Sequence, residues 1–220
     1  MFRMVGMTWG MEWIGAALAM GAAAAWAHIR GDRFPPLDQE TLNEDQRRAA
    51  AEILKQSVSG LGGPWNVLLR SPEMAHRLAR LLDYLRFKTS LPLRLNEFAI
   101  MITARHWSSQ FEWWVHRRLA AKAGLSEALM DDLAKGQRPQ AMQPDEAIVF
   151  DFCTELHRNQ VVSDDTFRKA KELLGEQQVV DLVAVSGTYT LVSMVLNTGE
   201  VAPTDGSRPL APLGPGKSDK

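Results

Sequence analysis

A chain of 220 residues is long enough for one sizeable domain or for two small ones. Its formal charge of −1, from 25 basic and 26 acidic residues, provides no strong field to attract nucleic acid or an acidic membrane surface. The single cysteine, Cys153, excludes an internal disulfide, a CxxC redox pair and a cysteine-rich zinc site within one chain. Its place in the apolar run IVFDFC favours a buried packing thiol over a reactive one.

Residues 1–27 differ in composition from the rest of the chain. Arg3 precedes the uncharged run IGAALAMGAAAAWA, and its last three residues, AWA, have the small side chains that a signal peptidase recognises. The run is short for a membrane span. We therefore expect a secretory signal, which would place the mature protein in the periplasm or outside the cell. An uncleaved anchor or a start codon assigned too early are the alternatives, and without a cleaved signal the protein would be cytoplasmic.

Residues 28–36 are polar and end in a proline pair, which is typical of a linker. A helix is then predicted to begin at Thr41 or Asn43, and Thr41 with Glu44 fits the capping-box pattern. A cluster of glycines ends this helix. The WNVLLR segment that follows is predicted to be a loop.

Ser71 and Pro72 form a strong start signal for the next helix, as N-cap and first helical residue. Pro92 opens the helix after it, and Gly124 closes the following one. The helix that begins at Pro72 is predicted to bury one apolar face, made of Met74, Leu78, Leu81, Leu82 and Leu85.

Four further helices are predicted in the second half of the chain. A short one runs from Ser126 to Gly136, an apolar one covers Asp145–Arg158, and a third extends from Ser163 to Gly175. The last covers Glu176–Asn197 and is apolar on most of its surface, so it should be buried in the core or against another subunit.

No segment alternates apolar and polar residues for long enough to indicate a sheet. The predicted fold is therefore all-α, a single-domain bundle of seven or eight helices over residues 37–203. Residues 204–220 are rich in proline and glycine and are predicted to form an irregular tail.

The stretch EFAIMITARHWSSQFEWWVH holds four side chains that can carry protons: Glu97, His106, Glu112 and His116. Glu112 and His116 are four residues apart, so in a helix they share a face and can touch. Glu97 and His116 are nineteen apart, and two packed helices would bring them together more easily than one straight helix. The serines after Trp107 favour a break at that point.

This stretch, with the preceding GPWNVLLRSPEM and the later GTYTLVSMVLN, resembles the carboxymuconolactone decarboxylase family, whose redox branch includes alkylhydroperoxidase D. The resemblance covers residues 37–203. In the redox branch, a glutamate is followed by a first cysteine after eleven intervening residues. A second cysteine follows after two more residues, and a histidine after a further three. Counting from Glu97 places Ser109 and Glu112 at the two cysteine positions and His116 at the histidine position. Both thiols of the redox motif are therefore replaced.

The resemblance implies an alkylhydroperoxidase D-like helical fold that assembles into homotrimers or homohexamers. A thiol peroxidase needs one thiolate to attack the peroxide and a second thiol to resolve the sulfenic acid, and neither Ser109 nor Glu112 can supply them. The cysteine-less pattern is closer to the decarboxylase branch, a lyase activity of aromatic catabolism on a small carboxylated lactone. That branch uses neither a metal nor an organic cofactor, so none is expected here.

For such chemistry, His116 is the candidate acid and base, and Glu112 is expected to orient its ring. Glu97 on an apolar helix face would be a second proton donor, and His106 would complete the cluster. A guanidinium pairs well with a substrate carboxylate, which favours Arg105, or alternatively Arg94. The expected substrate-binding residues are Arg105, Trp113, Tyr189 and Ser109.

Three alternatives remain open at this level. Glu112 and His116 could be an ordinary surface pair on a helix, and the tryptophans could be core or interface residues. Two histidines with one carboxylate could bind a metal, although their order differs from that of a HExxH helix. The chain could also be a catalytically silent helical oligomer that binds a ligand in the same pocket.

Overall fold

The computed structural model describes residues 33–57 and 60–213, which belong to one compact unit. Within these two ranges every regular element is a helix, with one short 3-10 helix and eight α-helices, so the predicted all-α bundle is confirmed. The predicted N-terminal segment 1–27 lies outside the described residues. The elements are the 3-10 helix Gln39–Thr41 and the α-helices α1 Glu44–Leu54, α2 Pro64–Leu68, α3 Pro72–Phe87, α4 Leu93–His106, α5 Gln110–Lys122, α6 Glu127–Ala134, α7 Pro144–Asn159 and α8 Asp164–Thr198.

Local sequence signals explain several helix starts. Asn43 caps α1 and forms a capping box with Gln46, so this helix begins after Asn43 rather than at Thr41. Ser126 caps α6 and Ser163 caps α8, each by accepting a backbone N–H bond in the first turn, as predicted.

The predicted loop after the glycines is wrong, because part of it forms the five-residue helix α2. Gly63 has φ 60°, a conformation that glycine adopts at little cost, and Pro64 then supplies the first helical residue. Trp65 and Leu68 are buried. A helix this short shows no periodicity in the sequence, which is why the pattern did not reveal it.

The buried face of α3 also differs from the predicted one. Met74 and Leu81 are 37% and 42% exposed, whereas Ala75 and Ala79 are buried in their place. The two alanines allow α1 to pack closely on α3. The residues that face the core are Ala75, Leu78, Ala79, Leu82 and Leu85.

The central helix of the bundle is α4. It packs against α5, α7 and α8, and every residue from Leu95 to Arg105 is buried. This burial includes polar side chains, which need hydrogen-bond partners inside the protein. Asn96 donates to the Leu85 carbonyl, and Thr103 donates to the Ala99 carbonyl over 2.9 Å. The core therefore encloses polar groups on α4, and Glu97 is one of them.

The last helix, α8, is broken at Gly175, whose φ of 80° and ψ of 167° are not helical. This matches the predicted boundary between two helices. By length and composition α8 could cross a membrane, with a mean hydropathy of 1.8 in its most apolar window, and it is the one such helix among the described residues. Its packing against α4 and α7 places 56% of that window in the interior, which accounts for the apolar composition.

A buried carboxylate fixes α8 to the turn between α3 and α4. Asp181 accepts hydrogen bonds from the hydroxyls of Tyr84 at 3.1 Å, Thr89 at 2.7 Å and Ser90 at 3.2 Å. Burial acts to raise the pKa of Asp181, but these hydrogen bonds outweigh it and lower the pKa. The start of α4, and with it Glu97, is therefore held against α8.

Candidate active site

A short turn between α4 and α5 determines which residues meet in the interior. The helices end and begin at His106 and Gln110, which confirms the predicted break. Ser108 has a positive φ of 48°, and Asn197 of α8 donates a hydrogen bond to the Trp107 carbonyl over 2.9 Å. Because the turn reverses the chain, α5 packs along α4 and His116 reaches Glu97.

His116 lies between two carboxylates. Its Nδ1 is 2.7 Å from Oε2 of Glu97, and its Nε2 is 3.0 Å from Oε1 of Glu112. All three side chains are about 95% buried, since their exposed fractions are 5%, 5% and 6%. We call this arrangement the Glu–His–Glu triad. The pair of Glu112 and His116 is thus a core feature and not a surface pair.

The triad favours the protonated ring. A neutral imidazole has one N–H, so it can donate to both carboxylates only as imidazolium. Burial alone would lower the pKa of His116, but the charge of Glu97 and the hydrogen bonds to Glu112 and Glu97 outweigh it and raise the pKa to about 9. The triad therefore stores a proton at neutral pH.

Tyr189 of α8 closes the site from a third helix. Its ring meets the His116 ring edge to face, with 5.1 Å between centroids and an angle of 85°. Burial raises the pKa of Tyr189, and the charges of Glu112 and Glu97 add to this effect. The Tyr189 hydroxyl therefore stays protonated at neutral pH, and its ring lies against His116.

Two hollows flank the triad. An inner cavity of about 40 Å³ is lined by Glu112, His116 and Tyr189 together with Arg86. A larger groove of about 470 Å³ runs between the end of α3, the start of α4 and the end of α5. Arg86 lines both hollows. The groove is lined by residues that include Arg86, Leu93, Asn96, Glu97, Leu119 and Lys122.

Arg86 is the functional candidate that the sequence reading missed. Its Nε is buried and has no hydrogen-bond partner in the part of the chain that the structure describes, and its Nη1 makes a long bond of 3.4 Å to the Gln56 carbonyl. Asn96 Oδ1, also on the groove, is buried without a donor. A signal was present, because Arg86 follows the buried Leu82 by four residues and so lies at the edge of the apolar face of α3.

The structure does not bring His106 into the triad. His106 is nine residues beyond Glu97 on α4, about 13 Å along the helix axis. Its ring is exposed and stacks on His157, with 4.8 Å between centroids. Arg105 lines the same separate cavity as these histidines. Arg94 forms ion pairs with Asp145 and Glu146, so its guanidinium is not available to the triad.

Ser109 and Trp113 are buried in the core and line neither hollow. Ser109, at the first of the two lost cysteine positions, precedes α5 and makes no side-chain capping bond. Its Oγ has no hydrogen-bond partner. Trp113 is fully buried. Their contribution to substrate binding would therefore be indirect.

The metal alternative is not supported by the arrangement of ligands. Both nitrogens of His116 already face carboxylates, and His106 lies in a different cavity. Within residues 33–57 and 60–213, no group of three or more His, Cys, Asp or Glu side chains is placed to hold a metal ion.

Comparison of this chain with protein-family models, with curated proteins and with solved structures found no match.

The triad predicts a titration that NMR of the His116 ring can measure. The ring should remain imidazolium through neutral pH and lose its proton near pH 9. Replacing Glu97 and Glu112 by glutamine removes the opposing carboxylates, so the pKa of His116 should fall below its ordinary 6.5 because burial then dominates. Glu73→Gln, in an exposed pair with Arg77, is the matched control and should change nothing.

The raised pKa of His116 also predicts how the free energy of unfolding depends on pH. Because the folded-state pKa of His116 lies above the unfolded value of 6.5, its stabilising contribution is complete below about pH 6.5 and is lost as the pH rises through 9. A decrease of about 1 kcal/mol in the free energy of unfolding lowers the melting temperature of a domain of this size by roughly 2–4 °C, so thermal unfolding can detect it. A wild-type pKa of His116 below 7 would contradict the assignment.

Proposed function

We propose that the chain is a cofactor-independent acid/base enzyme that acts on a small carboxylated lactone or a related carbonyl acid, as its resemblance to carboxymuconolactone decarboxylases implies. The observation that carries this proposal is the buried Glu–His–Glu triad, of which one member, Glu97, lines a groove large enough for a substrate. A buried proton store with one accessible end suits proton transfer to a bound molecule.

The groove is the substrate site in this proposal. Its volume of about 470 Å³ falls within the range of small-molecule pockets. The inner cavity, at about 40 Å³, has room for water but not for a carboxylated lactone. The substrate therefore meets Glu97 from the groove, while water meets Glu112 and His116 from the opposite side.

The groove also offers groups that suit a carboxylated substrate. Arg86 has a buried Nε without an acceptor, and a guanidinium pairs strongly with carboxylates. Lys122, at the end of α5, adds a second positive charge. Asn96 Oδ1 can accept a hydrogen bond from a substrate hydroxyl. Arg86 thus takes the role that the sequence suggested for Arg105.

The chemical step follows from these positions. The bond between the ring carbon and the carboxylate carbon breaks, carbon dioxide leaves, and the electron pair moves toward the lactone carbonyl. Arg86 stabilises the developing negative charge. Glu97 delivers a proton to carbon and takes one from Nδ1 of His116 in exchange. Decarboxylation consumes one proton per turnover. Nε2 of His116 keeps its own proton in the hydrogen bond to Glu112, so after the product leaves, water in the groove returns a proton to Glu97, which passes it to Nδ1.

His116→Gln tests the triad. A panel of small lactones and carbonyl acids is screened with the wild-type protein, and product is measured by mass spectrometry. For a substrate found in this way, the variant should lose about 10²–10⁴-fold in turnover, since it removes the proton store. His76→Gln, on α3 and outside both hollows, is the control and should keep wild-type turnover. Circular dichroism checks that the helices remain.

Removing His116 strands two buried carboxylates and could prevent folding. Arg86→Gln is therefore a second test, because Arg86 is only partly buried. It should raise the KM for a carboxylated substrate about tenfold or more, by loss of a charged hydrogen bond, and should also lower kcat, because Arg86 stabilises the developing negative charge. Unchanged turnover in a folded His116→Gln protein would refute the mechanism. Binding to the groove without any product would favour a ligand-binding protein instead.

A thiol peroxidase is disfavoured by the state of Cys153. The thiol is fully buried and lies 3.4 Å from the Ser186 hydroxyl. Burial raises the pKa of Cys153 to about 12, so almost no thiolate forms at neutral pH.

Cys153 should therefore be inert in the folded protein. We expect no reaction with a water-soluble disulfide reagent until the protein is unfolded, as followed by thiol release. Cys153→Ala should leave any hydroperoxide turnover unchanged. Loss of such turnover in this variant, with helical circular dichroism retained, would restore the redox reading.

We also propose that the protein forms a homo-oligomer, as the family resemblance implies. An apolar stripe on α8 supports this, because it is exposed in the single chain although it repeats with helical spacing. The stripe consists of Val180, Val183, Leu191 and Met194, which are 66%, 43%, 40% and 47% exposed. A second copy of the chain would cover it.

Sedimentation velocity measures this assembly. Val183→Glu combined with Met194→Glu places two charges on the stripe, three turns apart on one face, and should shift the protein toward the monomer. Gln140→Glu, at an exposed position outside α8, is the control and should leave the assembly intact. A wild-type protein that sediments as a monomer at all concentrations would refute the proposal.

A further inference from the structure

The ends of α4, α6 and α7 enclose a second cavity of about 100 Å³, separate from the triad. Four basic side chains line it: Arg105 and His106 from α4, and His157 and Arg158 from α7. The other walls include Leu133, Gly136 and Gln137, from α6 and its C-terminal turn, and Leu213, from the C-terminal segment. None of these four residues has a titratable side chain. We call it the basic cavity.

Arg105 is the residue that the surrounding fold does not explain. Only 3% of it is exposed, and its Nε and Nη1 have no hydrogen-bond acceptor within residues 33–57 and 60–213. Its Nη2 donates to the Ala211 carbonyl over 3.0 Å. Burial lowers the pKa of Arg105, yet a guanidinium keeps its charge in proteins. A buried cation with two unbonded donors is costly unless an anion accompanies it.

No carboxylate among the described residues lines the basic cavity to provide that partner. Asp151 follows the lining residue Phe150 along α7, but it pairs with Arg138. Arg105 and Arg158 form no ion pair within residues 33–57 and 60–213. The cavity thus concentrates positive charge without a counterion from the residues that the structure describes.

The two histidines are held in a fixed arrangement. Their rings stack at 16°, and Nε2 of His157 is 3.0 Å from the Thr103 hydroxyl. That hydroxyl donates its proton to the Ala99 carbonyl, so it accepts from Nε2–H of His157. Nδ1 of His157 is then the nitrogen that gains a proton when the ring becomes charged.

Without an anion, the histidines are kept neutral. Burial and the charge of His106 lower the pKa of His157 to about 4, and partial burial and the charge of Arg158 lower the pKa of His106. A bound anion would attract the protonated form of each ring, and this attraction would raise the pKa of both His106 and His157.

Helix ends provide a simpler explanation for some of these residues, because basic side chains in a last turn interact favourably with the helix dipole. That explanation covers His106 and Arg158, which are exposed at the ends of α4 and α7. It does not explain the burial of Arg105 with two donors unbonded.

We propose that the basic cavity binds a small oxyanion, a phosphate or a carboxylate, with Arg105 as its main partner and Arg158, His106 and His157 as supporting donors. The volume of about 100 Å³ suits an ion of this size and excludes a larger cofactor. The site is independent of the proposed enzymatic activity, because it shares no lining residue with the groove or the inner cavity.

The test titrates the full-length protein with inorganic phosphate and, separately, with acetate at constant ionic strength, while NMR follows the rings of His106 and His157. Binding should raise the pKa of both histidines and saturate below about 20 mM ligand. The ratio of the two affinities assigns the natural ligand to the phosphates or to the carboxylates. Either assignment supports an oxyanion site.

Arg105→Met should weaken phosphate or acetate binding about tenfold or more, equal to a loss of about 1.4 kcal/mol. Because Arg105 is buried, the exposed Arg158→Gln is a second variant that should fold and also bind more weakly. Arg168→Gln, an exposed arginine at the start of α8, is the control and should bind as the wild type does.

Two results would overturn the proposal. The first is that neither anion changes the titration of His106 and His157. The second is that both Arg105→Met and Arg158→Gln bind as tightly as the Arg168→Gln control, because binding would then reflect the general surface charge.

Discussion

The contact between Glu97 and His116 is the interaction on which the rest of the site depends. It joins two helices across nineteen residues and places an ionised group in the core. Desolvation of such a group is tolerated only when its hydrogen-bonding atoms are all satisfied, and Glu112 provides the second partner that the ring requires. The turn after α4, the buried residues of α4 and the apolar α8 hold this unit in place, and it meets solvent only where the groove and the inner cavity reach it.

A direction for proton movement follows from the placement of the three groups. Glu97 lines the groove, whereas Glu112 and His116 line the inner cavity. A proton that leaves toward the groove must therefore pass through Glu97, and one that enters from the inner cavity reaches the imidazole or Glu112 first. Arg86 lines both hollows, and its positive charge compensates the excess negative charge of two carboxylates around one imidazolium.

Sequence patterns revealed those features that depend on near neighbours in the chain. The four-residue spacing of Glu112 and His116, the break after His106 and the glycine at 175 are local signals, and each prediction was confirmed. Which distant side chains share a hollow depends on how helices pack, whereas the spacing of residues within one helix indicates only which side chains share its face. For that reason Arg86 was missed, and His106 was expected beside His116 although α4 directs it to α7. Helix α2 was missed because a helix of about one turn is too short to show a helical repeat of apolar residues.

The central helix α4 carries opposite charges at its two ends, which explains why one buried helix can support two polar sites. Glu97 lies in the second turn, beyond the reach of the helix dipole, and is stabilised by His116 instead, whereas Arg105 lies in the last turn, where the dipole favours a cation. About 12 Å of helix separates them, and the intervening residues are largely apolar. The triad balances its charges internally with one imidazolium and the nearby Arg86, whereas the basic cavity has no counterion among the described residues of the chain. This asymmetry is the physical reason to expect a mobile anion at the second site but not at the first.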